Sequence, residues 1–217
     1  RLQCLRIQKS DPDRERCNSE RLCGQGHEVI GFDNFDGFYP RSVKVKNLTD
    51  VRKTKRFSLI EGDLTVAGDL ERAFTAGGNI DMVVHLAALA GVRPSLNQPV
   101  RYADVNVTGT VRLFEQCRRN GVHKVIFASS SSVYGLNSEV PFKESDQCAN
   151  PLSPYAATKR AGELIAFAEH HVNQTSITCL RFFTVYGPRQ RPELAIHKFT
   201  RAIALGKPIE LYGDGTT

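Results

Sequence analysis

The sequence has no tryptophan and a single methionine, and nowhere do about 18 apolar residues follow one another, so no membrane-spanning helix is expected. It shows no signal-peptide pattern and starts at Arg1 rather than methionine, which leads us to expect a cytoplasmic protein or a fragment of one. Six cysteines are scattered at positions 4, 17, 23, 117, 148 and 179. Their spacing fits no zinc pattern, and a chain of this size and type needs no disulfide framework, so reduced thiols and no metal are expected. There is no internal repeat and no low-complexity linker. An acidic excess is also missing: 29 basic residues stand against 23 acidic ones, a net charge of +6. Residues 1–56 hold 13 basic and 8 acidic residues and so carry +5 of it, which leaves the remainder nearly neutral. The cluster RKTKRF (52–57) then reads as a solvated rim ahead of a strand, and no nucleic-acid partner is expected.

What is present is the make-up of a globular domain, or a domain and a half: 217 residues, 41% hydrophobic and 24% charged. From residue 28 onward, short runs rich in Val, Ile and Phe alternate with helix-length amphipathic segments. EVIGFD (28–33), FSLIEGD (57–63), DMVVHLAA (81–88), KVIFASS (124–130) and SITCLRFF (176–183) predict buried strands. Helices are expected near 65–76, 97–120 and 154–173. The alternation predicts an α/β fold, a doubly wound parallel sheet with helices on both faces and ligands beyond the carboxyl ends of its strands.

The polar residues gather at those ends. Asp33, ending GFD, can accept both hydroxyls of an adenosine ribose and would repel a 2′-phosphate, favouring NAD over NADP; it can equally cap a turn. Asp63, ending EGD, could reach an adenine edge in the same way. The segment HLAALAG (85–91), with Leu86, Ala87 and Ala88, follows its strand with small residues that let a cofactor approach the backbone.

A second group lies in FASSSSVYG and SPYAATKRAGEL. Tyr155 and Lys159, four residues apart behind Pro154, project from one face of a helix near its first turn. This pair is either surface decoration or a proton-transfer device. A nearby lysine cation favours a phenolate, and a phenolate can remove a hydroxyl proton while hydride leaves the carbon beneath it. Ser130, at the end of the preceding strand, could hold the same oxygen by a hydrogen bond. Four-residue spacing alone is common, but a serine run ending a strand upstream, inside an alternating sheet, makes the combination specific.

Residues from about 26 to 217 resemble the extended short-chain dehydrogenase/reductase family, and within it the nucleotide-sugar 4-epimerases of the UDP-glucuronate and UDP-glucose types. The residues carrying the resemblance are GHEVIGFDNFDGFY, EGDL, VVHLAALAGVRPS, DVNVTGT, FASSSSVYG, SPYAATKRAGEL and LRFFTVYGPRQRPELAIHKF, in that order. The resemblance implies a Rossmann-like NAD domain over 28–183, a degenerate first strand–helix unit over 1–27, and over 184–217 the beginning of a smaller substrate domain. It implies Ser130, Tyr155 and Lys159 as the catalytic set. Asp33, Asn34, Asp63, Leu64, Leu86, Ala87, Ala88, Asn106, Tyr155, Lys159 and Phe182 would contact NAD. Arg93, Ser131, Thr184 and Arg191 would meet the sugar nucleotide, although these arginines can also be read as a diphosphate clamp or as surface pairs. A homodimer paired through helices 97–120 and 154–173 is implied as well. Dehydratases and decarboxylases of the family carry an acidic residue just before VYG, where this chain has Ser131 and Ser132. Elimination would lack its general acid or base there, whereas epimerisation needs only oxidation and re-reduction. A non-catalytic binding module is the alternative from another class.

Two departures from the family pattern stand out. Its glycine-rich turn, which seats the NAD diphosphate on a helix N-terminus, should fall near residues 9–15. The sequence there is KSDPDRE, without glycine, and Asp11, Asp13 and Glu15 would repel a diphosphate. An out-of-frame start would account for the abrupt change near residue 26, and weak or no NAD retention is expected. Within residues 1–27, CLRI reads as a short strand and ERCNSERL as a poor helix. At the other end, LYGDGTT reads as a strand and turn with the substrate domain incomplete. Many glucuronate epimerases carry tryptophan and glycine where Arg189 and Gln190 stand here.

Overall fold

In the computed structural model, which describes residues 2–5, 10–11, 14–136, 139–187 and 189–209, the expected apolar runs become strands of one parallel sheet. The first half contains β1 (Leu2–Leu5), β2 (Ser10–Asp11), β3 (Arg14–Cys17), α1 (Asn18–Gly24), β4 (Val29–Asp33), α2 (Arg41–Asn47), a 3₁₀ turn at Val51–Lys53, β5 (Phe57–Glu61), α3 (Ala67–Gly77) and β6 (Met82–His85). Next come α4 (Val92–Asn97), α5 (Pro99–Ala103), a π-turn at Asp104–Thr108 and α6 (Gly109–Arg119). The chain continues through β7 (Lys124–Ser130), a 3₁₀ turn at Ser131–Tyr134, α7 (Pro154–Asn173), β8 (Ser176–Phe182) and α8 (Ala195–Ala204).

The six-stranded sheet runs β5-β4-β1-β6-β7-β8, with every neighbouring pair parallel. Strand order therefore reverses between β1 and β6, and in open α/β sheets the crevice beyond such a reversal is where ligands sit. The pleat sends alternate side chains to opposite faces, which produces two cores. Phe32, Leu70, Phe74, Val83, Leu113, Phe114 and Val125 pack on the face covered by α3, α6 and α7. Val29, Phe35, Leu48 and Val51 pack with Cys23 on the face covered by α1. No described helix is long and apolar enough to cross a membrane.

The helix α7 spans the expected residues, and its ends have local causes. The Ser153 hydroxyl accepts the Ala156 N–H at 3.1 Å, Pro154 fills the first helical position, and Gln174 closes the helix in the left-handed conformation at φ 55°. Gly162 lets the helix lie close on the sheet, because a Cβ there would stand 2.4 Å from Cζ of Phe127.

Some expected boundaries differ. The helix expected over 97–120 runs unbroken from Pro99 to Arg119 as α5, the π-turn and α6; Pro99 takes its first turn, and the Gly109 N–H reaches back five residues to the Asp104 carbonyl, a π-bulge within it. The strands expected over 57–63 and 81–88 end at Glu61 and His85, where the chain leaves the sheet for the crevice. Of the expected strand CLRI (4–7), Cys4 and Leu5 belong to β1 and residues 6–7 lie outside the described residues; β1 lies between β4 and β6, pairing Leu5 with Phe32 on one side and His85 on the other. The poor helix of residues 15–22 becomes α1, preceded by β3. The KSDPDRE stretch lies partly outside the described residues; of the rest, Ser10–Asp11 and Arg14–Cys17 form an antiparallel pair. LYGDGTT lies outside the described residues.

Candidate active site

Two cavities open beyond the carboxyl ends of the strands, one of about 430 Å³ and one of about 360 Å³, and Ala88 lines both. The first lies beyond β4, β5 and β6. Asp33, Asn34, Asp63, Leu64, Ala87 and Ala88 line it, as the sequence leads one to expect, together with Lys44, Arg101, Asp104 and Arg112. Asp33 Oδ1 accepts the Phe35 N–H at 2.7 Å, which bends the chain at the strand end through a left-handed Phe35 of φ 51°. The turn-capping and ligand-binding readings of Asp33 are thus compatible, since only one oxygen holds the turn. Asn34 Nδ2 donates to Asp63 Oδ2 at 2.7 Å, while Asp63 Oδ1 accepts from the Thr65 amide at 2.8 Å and hydroxyl at 2.6 Å. Partial burial alone would raise the Asp63 carboxyl, but the bonds from Thr65 and Asn34 overcome it and hold the group below the usual carboxylate range.

The second cavity lies beyond β6, β7 and β8. Leu86, Ser130, Ser131, Tyr155, Lys159, Phe182, Thr184 and Arg191 all line it, along with Ser132, Arg189 and Gln190. Its lining among the described residues includes Lys159, Arg189 and Arg191 but no aspartate or glutamate. The first cavity, by contrast, is lined by Asp33, Asp36, Asp63 and Asp104.

The helical turn between Tyr155 and Lys159 places both on this wall. Lys159 is buried; its Nζ donates to the Ala128 carbonyl at 2.8 Å and lies 5.2 Å from the centre of the Phe127 ring. Ser129 also borders the cavity but commits its hydroxyl to Glu163 Oε1 at 2.6 Å, whereas Ser130 accepts the Ser132 N–H at 3.2 Å, capping the 3₁₀ turn. Burial would raise Glu163, but hydrogen bonds from Arg181, Ser129 and Arg160 outweigh it and hold the carboxyl below its ordinary range. Arg191 Nε pairs with Glu193 at 3.1 Å, and its guanidinium lies 5.5 Å from the Phe38 ring centre. Arg189 ties the same loop to Glu20 of α1 at 2.5 Å and to Asp50 at 3.1 Å.

Two expected site residues lie elsewhere. Arg93 is exposed in α4 and lines neither cavity. Asn106 lines neither one, being buried with its side chain bonded to both backbone groups of Leu89 and to the Thr158 hydroxyl. Sequence reasoning in turn passed over Tyr102. Its ring meets Tyr155 edge-on with centres 6.3 Å apart, and its hydroxyl donates to the Ala90 carbonyl at 2.9 Å. In sequence Tyr102 is one more apolar position on a helix face, with nothing to mark it.

Residues 18–217 match the NAD dependent epimerase/dehydratase family. The chain is 42% identical over 197 residues to a UDP-glucuronate 4-epimerase of Thermodesulfobacterium geofontis (strain OPF15), covering 91% of this chain and 60% of that relative. It is 46% identical over 189 residues to UDP-glucuronate 4-epimerase 1 of Arabidopsis thaliana, covering 87% of this chain and 44% of that one. The chain thus spans roughly half the length of these relatives. Among solved structures, a UDP-glucuronic acid 4-epimerase from Bacillus cereus in complex with UDP-glucuronic acid and NAD superposes with a TM-score of 0.83 at 33% identity, covering 100% of this chain and 67% of that chain.

Proposed function

Because the chain belongs to the NAD dependent epimerase/dehydratase family, we propose that it inverts C4 of a UDP-sugar, UDP-glucuronate or UDP-glucose, with NAD held in the crevice throughout. One observation carries this reading: Ser130, Tyr155 and Lys159 line a single cavity that has no carboxylate among its described lining residues and meets the Asp33 cavity at Ala88. The Bacillus cereus relative, crystallised with UDP-glucuronic acid and NAD, supports it.

The residues present suit a dinucleotide. Asp33 uses one carboxylate oxygen for its turn and keeps the other for a ribose, while Ala87 and Ala88 leave the wall between the cavities low. Asp33, Asn34, Asp63 and Leu64 would hold the adenosine half, and Leu86, Ala88, Phe182 and Lys159 the nicotinamide half. Bound NAD supplies the hydride acceptor and donor. Tyr155 takes the proton of the sugar C4 hydroxyl and returns it after the keto sugar has turned its other face. Ser130 holds the same oxygen by a hydrogen bond. Lys159, anchored on the Ala128 carbonyl, sets a fixed positive charge beside that proton transfer. With a uronate, the 4-keto sugar is a β-keto acid prone to losing CO₂, so its carboxylate must be held in a poor geometry for that loss. Thr184 and Arg191 would hold it; the Glu193 pair fixes the plane of the guanidinium, whose terminal nitrogens can grip a carboxylate in parallel.

A dehydratase or decarboxylase on the same scaffold is the second reading. It is disfavoured because the positions beside Val133 are Ser131 and Ser132, both lining the cavity, rather than a carboxylic acid. We further propose a homodimer, in which Leu164, Phe167 and Val172, exposed on α7, are covered by a second copy, and a cytoplasmic location, in keeping with the free thiols of Cys23, Cys117, Cys148 and Cys179.

The experiment is to purify the chain, measure its NAD content, add NAD, and follow UDP-glucuronate by chromatography. Weak NAD retention is expected, since residues 9–15 contain no glycine. Conversion to the C4 epimer that stops in Tyr155→Phe supports the proposal. Release of CO₂ or a dehydrated product would replace it with the second reading, and no turnover at saturating NAD would favour a binding module.

A further inference from the structure

His85 is a buried ionisable group that the proposed chemistry leaves unused. It ends β6 at 1% exposure, and its ring lies 5.5 Å from that of Phe127, the ring over which Lys159 sits. Its Nε2 is 2.9 Å from the Thr110 hydroxyl oxygen. That hydroxyl has one hydrogen, which it donates at 2.6 Å to the Asn106 carbonyl, so the imidazole must be the donor in the other bond. The neutral Nε2–H tautomer follows, and among the described residues Nδ1 has no hydrogen-bond partner.

The Asn106 carbonyl lies inside the π-turn, in which the Gly109 N–H bonds to Asp104, five residues back, and the Thr110 hydroxyl reaches back four residues to that carbonyl. The Asn106 side chain works in the opposite direction. Its Oδ1 accepts the Leu89 N–H at 2.7 Å, and its Nδ2 donates to the Leu89 carbonyl and to the Thr158 hydroxyl, both at 3.0 Å. The Thr158 proton is already engaged at 2.8 Å with the Tyr155 carbonyl, so the amide of Asn106 cannot flip without leaving two oxygens face to face. Leu89 lies in the loop whose Ala88 and Ala90 line the second cavity.

We propose that His85 and Thr110 are a positioning pair: they clamp the π-turn so that Asn106 locks the Leu89 loop to the helix turn carrying Tyr155 and Lys159. The consequence for catalysis rests on the acid–base reading of Tyr155, but the clamp itself does not. A displacement of that helix turn by a fraction of an ångström spoils proton transfer more than it spoils binding.

The test compares Thr110→Val, which keeps the shape and deletes the hydroxyl, with Thr110→Ser and His85→Leu. Two readouts are taken: amide hydrogen exchange at Leu89, and kcat and KM for the UDP-sugar with added NAD. Thr110→Val and His85→Leu are expected to expose the Leu89 amide about tenfold more often and to lower kcat about tenfold with KM within about threefold. Thr110→Ser should stay near the wild type in both. Unchanged Leu89 exchange in Thr110→Val overturns the clamp, and unchanged kcat with altered exchange overturns its link to catalysis. If the wild type turns over no sugar, the function proposed above falls, while Leu89 exchange still decides the clamp: lost protection in Thr110→Val restored in Thr110→Ser upholds it, and equal protection in all variants rejects it.

Discussion

At the scale of single residues, the crevice divides into groups whose bonds are already engaged and groups left for a ligand. Asp63 belongs mainly to the first kind, with both oxygens bonded to Asn34 and Thr65, whereas Asp33 keeps one oxygen outside its turn. Asp33→Asn retains the acceptor that holds the Phe35 amide and removes only the charge. It should narrow the preference for NAD over NADP by about tenfold, which calorimetric titration with both dinucleotides would measure. Tyr155→Phe is expected to lower turnover by about 10²–10⁴-fold with little change in NAD affinity, read from initial rates and the same titrations. That Tyr155, Lys159 and Ser130 would line one cavity was legible in the sequence, because their types and spacing have meaning only together. Asn106 was legible as a polar residue in a motif, but its direction was not. Its amide bonds to Leu89 and Thr158, 17 and 52 residues away in sequence, and nothing local to position 106 marks that choice.

At the scale of elements, local chemistry was most readable where it is self-sufficient. The start of α7 is written in Ser153 and Pro154, and strand β7 in an unbroken KVIFASS, so both coincide with their expected bounds. The helix expected over 97–120 starts at Pro99, and the π-turn that bulges it at Asp104–Thr108 has no mark in the sequence. The central place of β1 was not readable either: Leu2–Leu5 is a four-residue run in polar surroundings, and its position comes from pairing with β4 and β6. Gly162→Ala tests how closely α7 rests on the sheet. With the new Cβ 2.4 Å from the Phe127 ring, chemical denaturation should show a loss of about 1–3 kcal/mol. Ser153→Ala, which removes the bond to the Ala156 amide, should cost about 1 kcal/mol in the same assay.

At the scale of the whole molecule, the buried ionisable groups predict sensitivity to acid in two stages. Burial, aided by the Lys159 charge, pushes His85 from 6.5 down to about 3. The unfolded chain therefore binds a proton below pH 6.5 that the folded chain refuses, so stability falls as pH drops through that window. Glu163 and Asp63 are held below their ordinary values of 4.5 and 3.8, so what they contribute is present above those values and is lost as pH falls below them. Urea unfolding between about pH 7.5 and 2.5 should show both stages, and His85→Gln should flatten the first. Replacing Leu164 and Phe167 by glutamate should shift the proposed dimer to monomer by light scattering, since both side chains are more than half exposed on α7. Ala88, finally, is a wall common to the two cavities. A molecule resting on one side of that methyl group alters the shape offered on the other, so occupants of the two cavities cannot be taken up as independent events, and a bulkier side chain at this single point would obstruct both at once.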